Sequence, residues 1–170
     1  IMHNFINTHI GDGVYTSLIM GQSPEGSSYN DIGDGLPFFQ GAKDFGEINP
    51  IPRIWCNSPK KIAIKNDILL GIRAPVGDLN IATEESAIGR GIAIIRCNDE
   101  IIVDFVYFIL KVSKKFFEYE STGSTSKAIS KDEIKSINFT FPKDKNLQKK
   151  MVEEVKSKYS LIDEISSEIR

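Results

Sequence analysis

Residues 121–130 read STGSTSKAIS: hydroxyl side chains, a glycine and one lysine, directly after an apolar helical stretch. Such a segment buries little and offers hydrogen-bond donors. A second set of polar groups falls in turns at the ends of apolar runs. Arg73 lies in GIRAPVGD (71–78), where the strongest run breaks at Pro75. Arg90 lies in IGRGIA (88–93), between two glycines that let the backbone approach a ligand closely. Lys43 lies in FQGAKDF (39–45), and Arg53 and the Lys60-Lys61 pair flank Trp55, the single tryptophan. A guanidinium or ammonium on a short loop is the usual tool for base edges and phosphates. Taken singly, each of these also fits an ordinary solvated surface charge.

The signals for catalysis are thin. His3 and His9 both lie in the first ten residues, where solvated histidine is the simpler reading. Ser124-Thr125-Ser126-Lys127 fits the S-x-x-K pattern of serine acyl enzymes, but S-D-N and K-T-G companions are missing. Glu133-Ile134-Lys135 fits half of a nuclease metal site, without the upstream Pro-Asp pair, and a helix cap already explains Glu133. The GDG triplets at 11–13 and 33–35 lack the strand, third glycine and helix of a dinucleotide site. No Pro-Pro-Tyr type methyltransferase motif occurs. Cys56 and Cys97 are isolated and read as two thiols of a reducing compartment. The chain by itself is therefore expected to catalyse nothing.

The elements that must carry these groups follow from periodicity. The 170 residues are 41% apolar and 26% charged, enough for one domain with a core and an appendage. A net charge of −2 argues against a wholesale polyanion binder, though not against a local basic face. No secretory h-region appears at the start and no apolar run approaches about 18 residues, so a cytoplasmic protein is expected. Ile1 ahead of Met2 suggests a segment of a longer chain.

Residues 1–35 read as loops with brief strands, VYTSLIM (14–20) among them. Strand-like runs follow at PFFQG (37–41), on both sides of Lys65-Asn66-Asp67 in KIAIKNDILLGIRA (61–74), and at GIAIIRC (91–97). From Val103 the spacing of Val106, Ile109, Leu110, Phe116 and Phe117 turns helical. Ser130 and Glu133 fit a capping box, and SINFTF (136–141) alternates as a half-buried strand stopped by Pro142. Val152, Val155, Tyr159, Ile162, Ser166 and Ile169 then step by three and four, a heptad seam about two and a half repeats long. It predicts a helix that meets a partner helix, or else one folded onto its own domain. The fold expected is α+β: a mixed, twisted β-sheet with a few helices, followed by a long C-terminal coiled-coil-type helix. The division expected is 1–142 for the globular unit and 143–170 for the helix.

The order of these pieces resembles the target-recognition domain of type I restriction-modification DNA specificity subunits. The stretches that carry the resemblance are Gly21-Gln22-Ser23-Pro24, LPFFQGAKDF (36–45), DILLGIRAPVGDLNIA (67–82), GRGIAIIR (89–96), VYFILK (106–111) and STGSTSKAISKDEIKSINFTFP (121–142), then the heptad helix. They cover the chain from Gly21 onward. Two departures stand out: Arg90-Gly91 sits where Asn or Gln before Gly is frequent, and FPKDKNLQ (141–148) replaces a proline-rich connection.

The resemblance implies sequence-specific recognition of double-stranded DNA, reading one half of a bipartite target, with the helix acting as spacer and pairing with a second specificity half or a homodimer mate. The hydroxyl and lysine loop ahead of a helix start suits a phosphate oxygen, with Ser124, Thr125 and Lys127 as anchors and Lys131 near; the alternative is a plain connection with Gly123 as a turn residue. Base reading then falls to Gln40, Lys43, Arg53, Arg73 and Arg90. The dimerisation residues are Val152, Val155, Tyr159, Ile162 and Ile169. Partners implied are DNA-methyltransferase (modification) subunits and a restriction subunit, with S-adenosylmethionine, ATP and Mg bound there and no cofactor or metal in this chain. A recognition domain of a fused restriction-methylation enzyme and a protein-interaction module using only the heptad helix are the alternatives.

Overall fold

The structure is a computed structural model, which describes residues 4–125 and 127–169. Eleven strands and four α-helices occur among them, in three sheets. The first sheet pairs β1 (Phe5–His9) with β11 (Asn138–Pro142), antiparallel, so the chain's start is closed against the strand before the last helix. The second has four antiparallel strands in the order β2 (Thr16–Met20), β10 (Ile92–Cys97), β7 (Ile68–Gly71), β8 (Leu79–Ile81). The third runs β3 (Tyr29–Asn30), β5 (Trp55–Cys56), β4 (Leu36–Phe39), β9 (Ser86–Ile88), β6 (Ile62–Ala63) and is mixed, because β4 and β9 are parallel.

The four-stranded sheet is buried on both sides, and its side-chain alternation explains how. Ile68, Leu70, Ala93 and Ile95 point into the larger core, with Phe105, Leu110, Phe117, Ile134 and Phe141. Their neighbours Leu69, Ile92 and Ile94 point the other way, onto Phe39, Ala63 and Ile88 of the mixed sheet. Successive residues of a strand face opposite sides, so a β-branched run without polar interruption needs cover on both faces. The result is three layers: helices, four-stranded sheet, mixed sheet. The α+β expectation holds, with the strands divided over three sheets rather than gathered in one.

The helical period from Val103 becomes two helices, not one. α1 (Val103–Val112) ends at Ser113, whose hydroxyl donates to the Ile109 carbonyl at 2.7 Å, and α2 (Lys114–Thr122) starts at once. α2 takes Ser121 and Thr122 into its last turn, their hydroxyls donating to Glu118 and Tyr119 carbonyls, so the hydroxyl-rich loop starts only at Gly123. The capping box is present as expected: the Glu133 N–H donates to Ser130 Oγ at 3.2 Å, and the Ser130 N–H donates to the Glu133 carboxylate at 2.6 Å, opening α3 (Lys131–Lys135).

α4 (Lys145–Glu168) has 24 residues and is capped by Asp144. At a rise of about 1.5 Å per residue it is about 36 Å long. Its base is fixed by Gln148, a fully buried amide that accepts from the Ile102 N–H and donates to the carbonyls of Glu100 and Pro142, each at 2.9 Å. Val152 lies in the core at 4% exposure, Val155 packs beside Phe108, and Tyr159 stacks on Phe108 with ring centroids 5.6 Å apart. Lys156 pairs with Asp104 of α1 at 3.0 Å. The first half of the seam is thus occupied by its own domain. Leu161, Ile162, Ile165 and Ile169 beyond it are exposed, so the part free to meet another helix starts past Tyr159.

Candidate nucleic-acid interface

The cationic turns converge because glycines let three chain segments touch. Gly89 N–H donates to the Phe39 carbonyl at 2.8 Å and Gly91 N–H to the Gln40 carbonyl at 2.9 Å, which lays the turn 89–91 across the end of β4. A Cβ on Gly89 would come within 2.5 Å of Gln40 Oε1, and one on Gly91 within 2.5 Å of the Gln40 carbonyl oxygen. The third segment enters through Gly21, whose N–H donates to the Ile92 carbonyl and whose Cβ position is filled by the Gly89 carbonyl. At Gly21 and Gly91 the obstacle is backbone, so these two approaches admit only glycine.

Two depressions open at this junction, of about 470 and 340 Å3, and Gln40, Lys43 and Arg90 line both. The larger adds Ser23, Tyr29, Phe38, Asp44 and Ile54; the smaller adds Arg73, Ala74, Pro75 and Gly91. Four of the five expected base-reading residues therefore share one concave surface. The fifth, Arg53, stands at its rim, donating to the Lys43 carbonyl at 3.5 Å and lying 3.8 Å from the Asp44 carboxylate. Asp44 also accepts from the Gln40 N–H at 2.7 Å, closing the short 3-10 turn Ala42–Asp44 that carries Lys43.

Among the described residues five cations are tied to carboxylates, and none of the five but Arg53 stands at this surface. Arg96, Lys60, Lys114, Lys156 and Arg53 each pair with a carboxylate. Among the described residues, Lys43, Arg73 and Arg90 enter no ion pair. Their charge is left to act on whatever occupies the depression. Arg90 acts on Tyr29 there: burial raises the phenol pKa and the Arg90 charge pulls it back.

The hydroxyl and lysine loop joins this surface through backbone. Arg73 and Ala128 form an antiparallel bridge, and Ile129 N–H donates to the Ile72 carbonyl at 2.8 Å. Lys127 sits in left-handed backbone at φ 50, exposed, one residue from that bridge. Ser124 and Thr125 precede it and Lys131 opens α3. Ser126 and His3 lie outside the described residues. His9, in β1, faces its own neighbour's carbonyl, with Nδ1 2.9 Å from the Ile10 oxygen. Among the described residues no three His, Cys, Asp or Glu side chains gather as a metal site would require, and no helix is long and apolar enough to cross a membrane. Cys56 and Cys97 are both free thiols.

Two parts of the surface had no role in the sequence reading. Ser23 belongs to a quoted motif, yet only the fold shows its hydroxyl between Gln40 and Arg90. Tyr29 and Ile54 supply an apolar wall, and neither has a periodic neighbourhood that could announce it.

Both the sequence and the fold have known relatives. The sequence model of the type I restriction modification DNA specificity domain matches residues 42–170. A protein of Methanocaldococcus jannaschii, named for the specificity subunit of the type I restriction enzyme MjaX, is 45% identical over 134 residues, 78% of this chain and 32% of the relative. The HsdS subunit of Thermoanaerobacter tengcongensis has a similar structure, with a TM-score of 0.82 and 33% identity over 96% of this chain and 39% of that one. A chain from a study of complex assembly and conformational transition of the type I R-M system gives 0.80 and 33%, over 99% and 42%. The S subunit of M. genitalium, at 18% identity and a TM-score of 0.66, shares the fold. The chain thus spans about a third to two fifths of the length of these relatives. With three quarters of its length matched by the family's sequence model and its architecture shared with solved subunits, this chain belongs to the type I restriction-modification DNA specificity domain family.

Proposed function

We propose that this domain recognises double-stranded DNA by sequence and reads one half of a bipartite target within a type I restriction-modification complex. The observation that carries the reading is the set of three unpaired cations, Lys43, Arg73 and Arg90, facing one concave surface at the junction of three loops. Base edges fall to Lys43, Arg53, Arg73 and Arg90, with Gln40 set between them. Ser124, Thr125, Lys127 and Lys131 hold backbone phosphates beside them. Phosphate contacts fix register, and base contacts carry the sequence information.

In this reading the domain performs no chemical step. Methyl transfer and DNA cleavage, with S-adenosylmethionine, ATP and Mg, belong to modification and restriction subunits in the same cytoplasmic complex. The exposed stripe Leu161, Ile162 and Ile165 on α4, continued by Ile169 at its C-terminal cap, pairs with a helix of a second specificity half or a second copy and sets the spacing between half-sites. The stripe continues a seam whose first half packs on α1, so the domain and its spacer are joined without a break in the helix.

Titration of the protein with random-sequence duplex DNA tests the reading. Association is expected at low salt and is expected to weaken linearly in log–log form as salt rises, because bound cations release counterions. Absence of salt-sensitive association by the assembled complex would refute it.

A further inference from the structure

We infer that Ser23 and Gln40 are positioning residues that aim Arg90, and that Gln40 is not itself a base reader. The inference deepens the DNA-reading proposal and rests on it. The Ser23 hydroxyl stands 3.1 Å from Gln40 Oε1 and 3.0 Å from Gln40 Nε2, so it meets the amide on the edge that carries both polar atoms. That same edge would be needed for the paired donor and acceptor contact that Gln makes to adenine. Ser23 Oγ also accepts the Arg90 N–H at 3.2 Å. One hydroxyl can donate once and accept twice, so these three contacts use its full capacity.

The rest of Gln40 is held as firmly. Its N–H donates to Asp44 at 2.7 Å and its carbonyl accepts from Gly91 at 2.9 Å. Gly89 packs against its side chain with no room for a Cβ. A side chain so engaged is not free to swing toward a base without releasing the turn it supports. Arg90, by contrast, is anchored at its backbone while its guanidinium makes no ion pair among the described residues. The turn 89–91 has glycine on both sides of Arg90; the Phe39 and Gln40 carbonyls hold the Gly89 and Gly91 N–H groups, which leaves the Arg90 N–H as the point of the turn that a side chain can fix. The Ser23 hydroxyl is the side chain that bonds to the Arg90 backbone, and Gln40 holds that hydroxyl in place.

The test uses the assembled complex and measures affinity for its cognate duplex, for random duplex, and for a panel of cognate duplexes each changed at one base pair. Ser23→Ala is expected to weaken cognate binding about tenfold, the loss of one well-aimed base contact. It is expected to relax preference at the position that Arg90→Ala relaxes. Random-duplex affinity at low salt stays within about twofold, since phosphate contacts are untouched. The double variant Ser23→Ala with Arg90→Ala binds no worse than Arg90→Ala alone, because Ser23 acts through Arg90. Ser23→Thr, which keeps the hydroxyl, restores the preference.

Gln40→Leu, which keeps the bulk and removes the amide, gives a second route should Ser23→Ala not fold, and is expected to relax the same position. An unchanged Ser23→Ala profile overturns the inference. So does relaxation by either variant at a different position with additive losses, which would make Ser23 or Gln40 a direct reader. So does a uniform loss with a lowered melting temperature, which would make the pair merely structural. In each of those cases the wild-type complex still binds DNA and the DNA-reading proposal stands. A wild-type complex without salt-sensitive binding removes both.

Discussion

Ile129 donates its backbone N–H to the carbonyl of Ile72 at 2.8 Å, and beside this bond Arg73 and Ala128 bridge as a short antiparallel pair. The contact joins two segments more than fifty residues apart. It seats the hydroxyl and lysine loop at the edge of the depression that Arg73, Lys43 and Arg90 line. A loop that would otherwise be a connector between α2 and α3 thereby borders the surface for which phosphate anchoring and groove reading are proposed.

From this placement, Lys127→Ala is expected to weaken binding to cognate and random duplexes alike. The slope of log affinity against log salt is expected to fall by about one, since one phosphate contact is lost. Equilibrium titration across a salt series checks this. A sequence-selective loss would move Lys127 into the base-reading set.

The ion pair behind the sheet predicts a stability effect without a direct effect on recognition. Asp67 is 2% exposed, and its carboxylate takes three contacts from Arg96 at 2.7 to 3.2 Å and one from the Ile64 N–H. Arg96→Ala removes that partner and leaves the carboxylate the Ile64 N–H, and because the Arg96 side chain is 34% exposed and water can enter in its place, the cost is about 1–3 kcal/mol. Urea unfolding should show it as a lower midpoint with an unchanged slope.

Burial pushes the Cys97 thiol up to about 12 from an ordinary 9.0, and the nearby Asp67 charge adds to the effect. The folded chain therefore holds this proton more tightly than the unfolded chain does. Its contribution to stability is complete below pH 9.0 and is lost as pH rises from there toward 12. Stability measured against pH should fall through this window, and less steeply in Cys97→Ala. At pH 8 the native thiol should react with a maleimide far more slowly than an unfolded control, because the thiolate is the reactive form.

The exposed stripe on α4 separates association from folding. Replacing Ile162, Ile165 and Ile169 together by Ser removes the apolar face beyond Tyr159 while leaving the core untouched. Surface changes of this kind usually move stability by less than about 0.5 kcal/mol each. Light scattering should show lost self-association or lost complex assembly with a nearly constant melting temperature. A large drop in melting temperature would mean that the stripe packs inside the domain.

Periodicity revealed the parts of this fold whose neighbours lie on both sides of them. β7 and β10 are apolar runs because both faces are covered, and α3 is announced by Ser130 and Glu133 before any packing is known. β3, β5, β8 and β9 span only two or three residues each, too short for any period to show; β5 and β9 lie beside the longer β4 and β8 beside β7, while β3 pairs with β5 at the sheet edge. The break at Ser113 is equally local: one hydroxyl bonding to Ile109 ends α1 in the middle of a continuous helical pattern. For the interface, residue type and turn context pointed to Lys43, Arg73 and Arg90, since exposed cations at strand ends are legible one by one. Their convergence was not, because it depends on Gly21 packing on the Gly89 carbonyl and on Gly89 and Gly91 packing on Gln40 and Gly41, far away in sequence. The buried Gln148 that seats the long helix left no signal either, since a glutamine on a charged helix looks solvated until its three partners are in place.

The most direct measurement is the methylated motif of cells that carry the intact restriction-modification system, compared between the native gene and one encoding Arg73→Ala. A split motif is predicted, with one half losing its preference at a single position, a cost of about 1–3 kcal/mol at that base pair, while the other half and the spacing stay fixed. An unsplit motif, or a motif that Arg73→Ala leaves unchanged in both halves, would contradict the account.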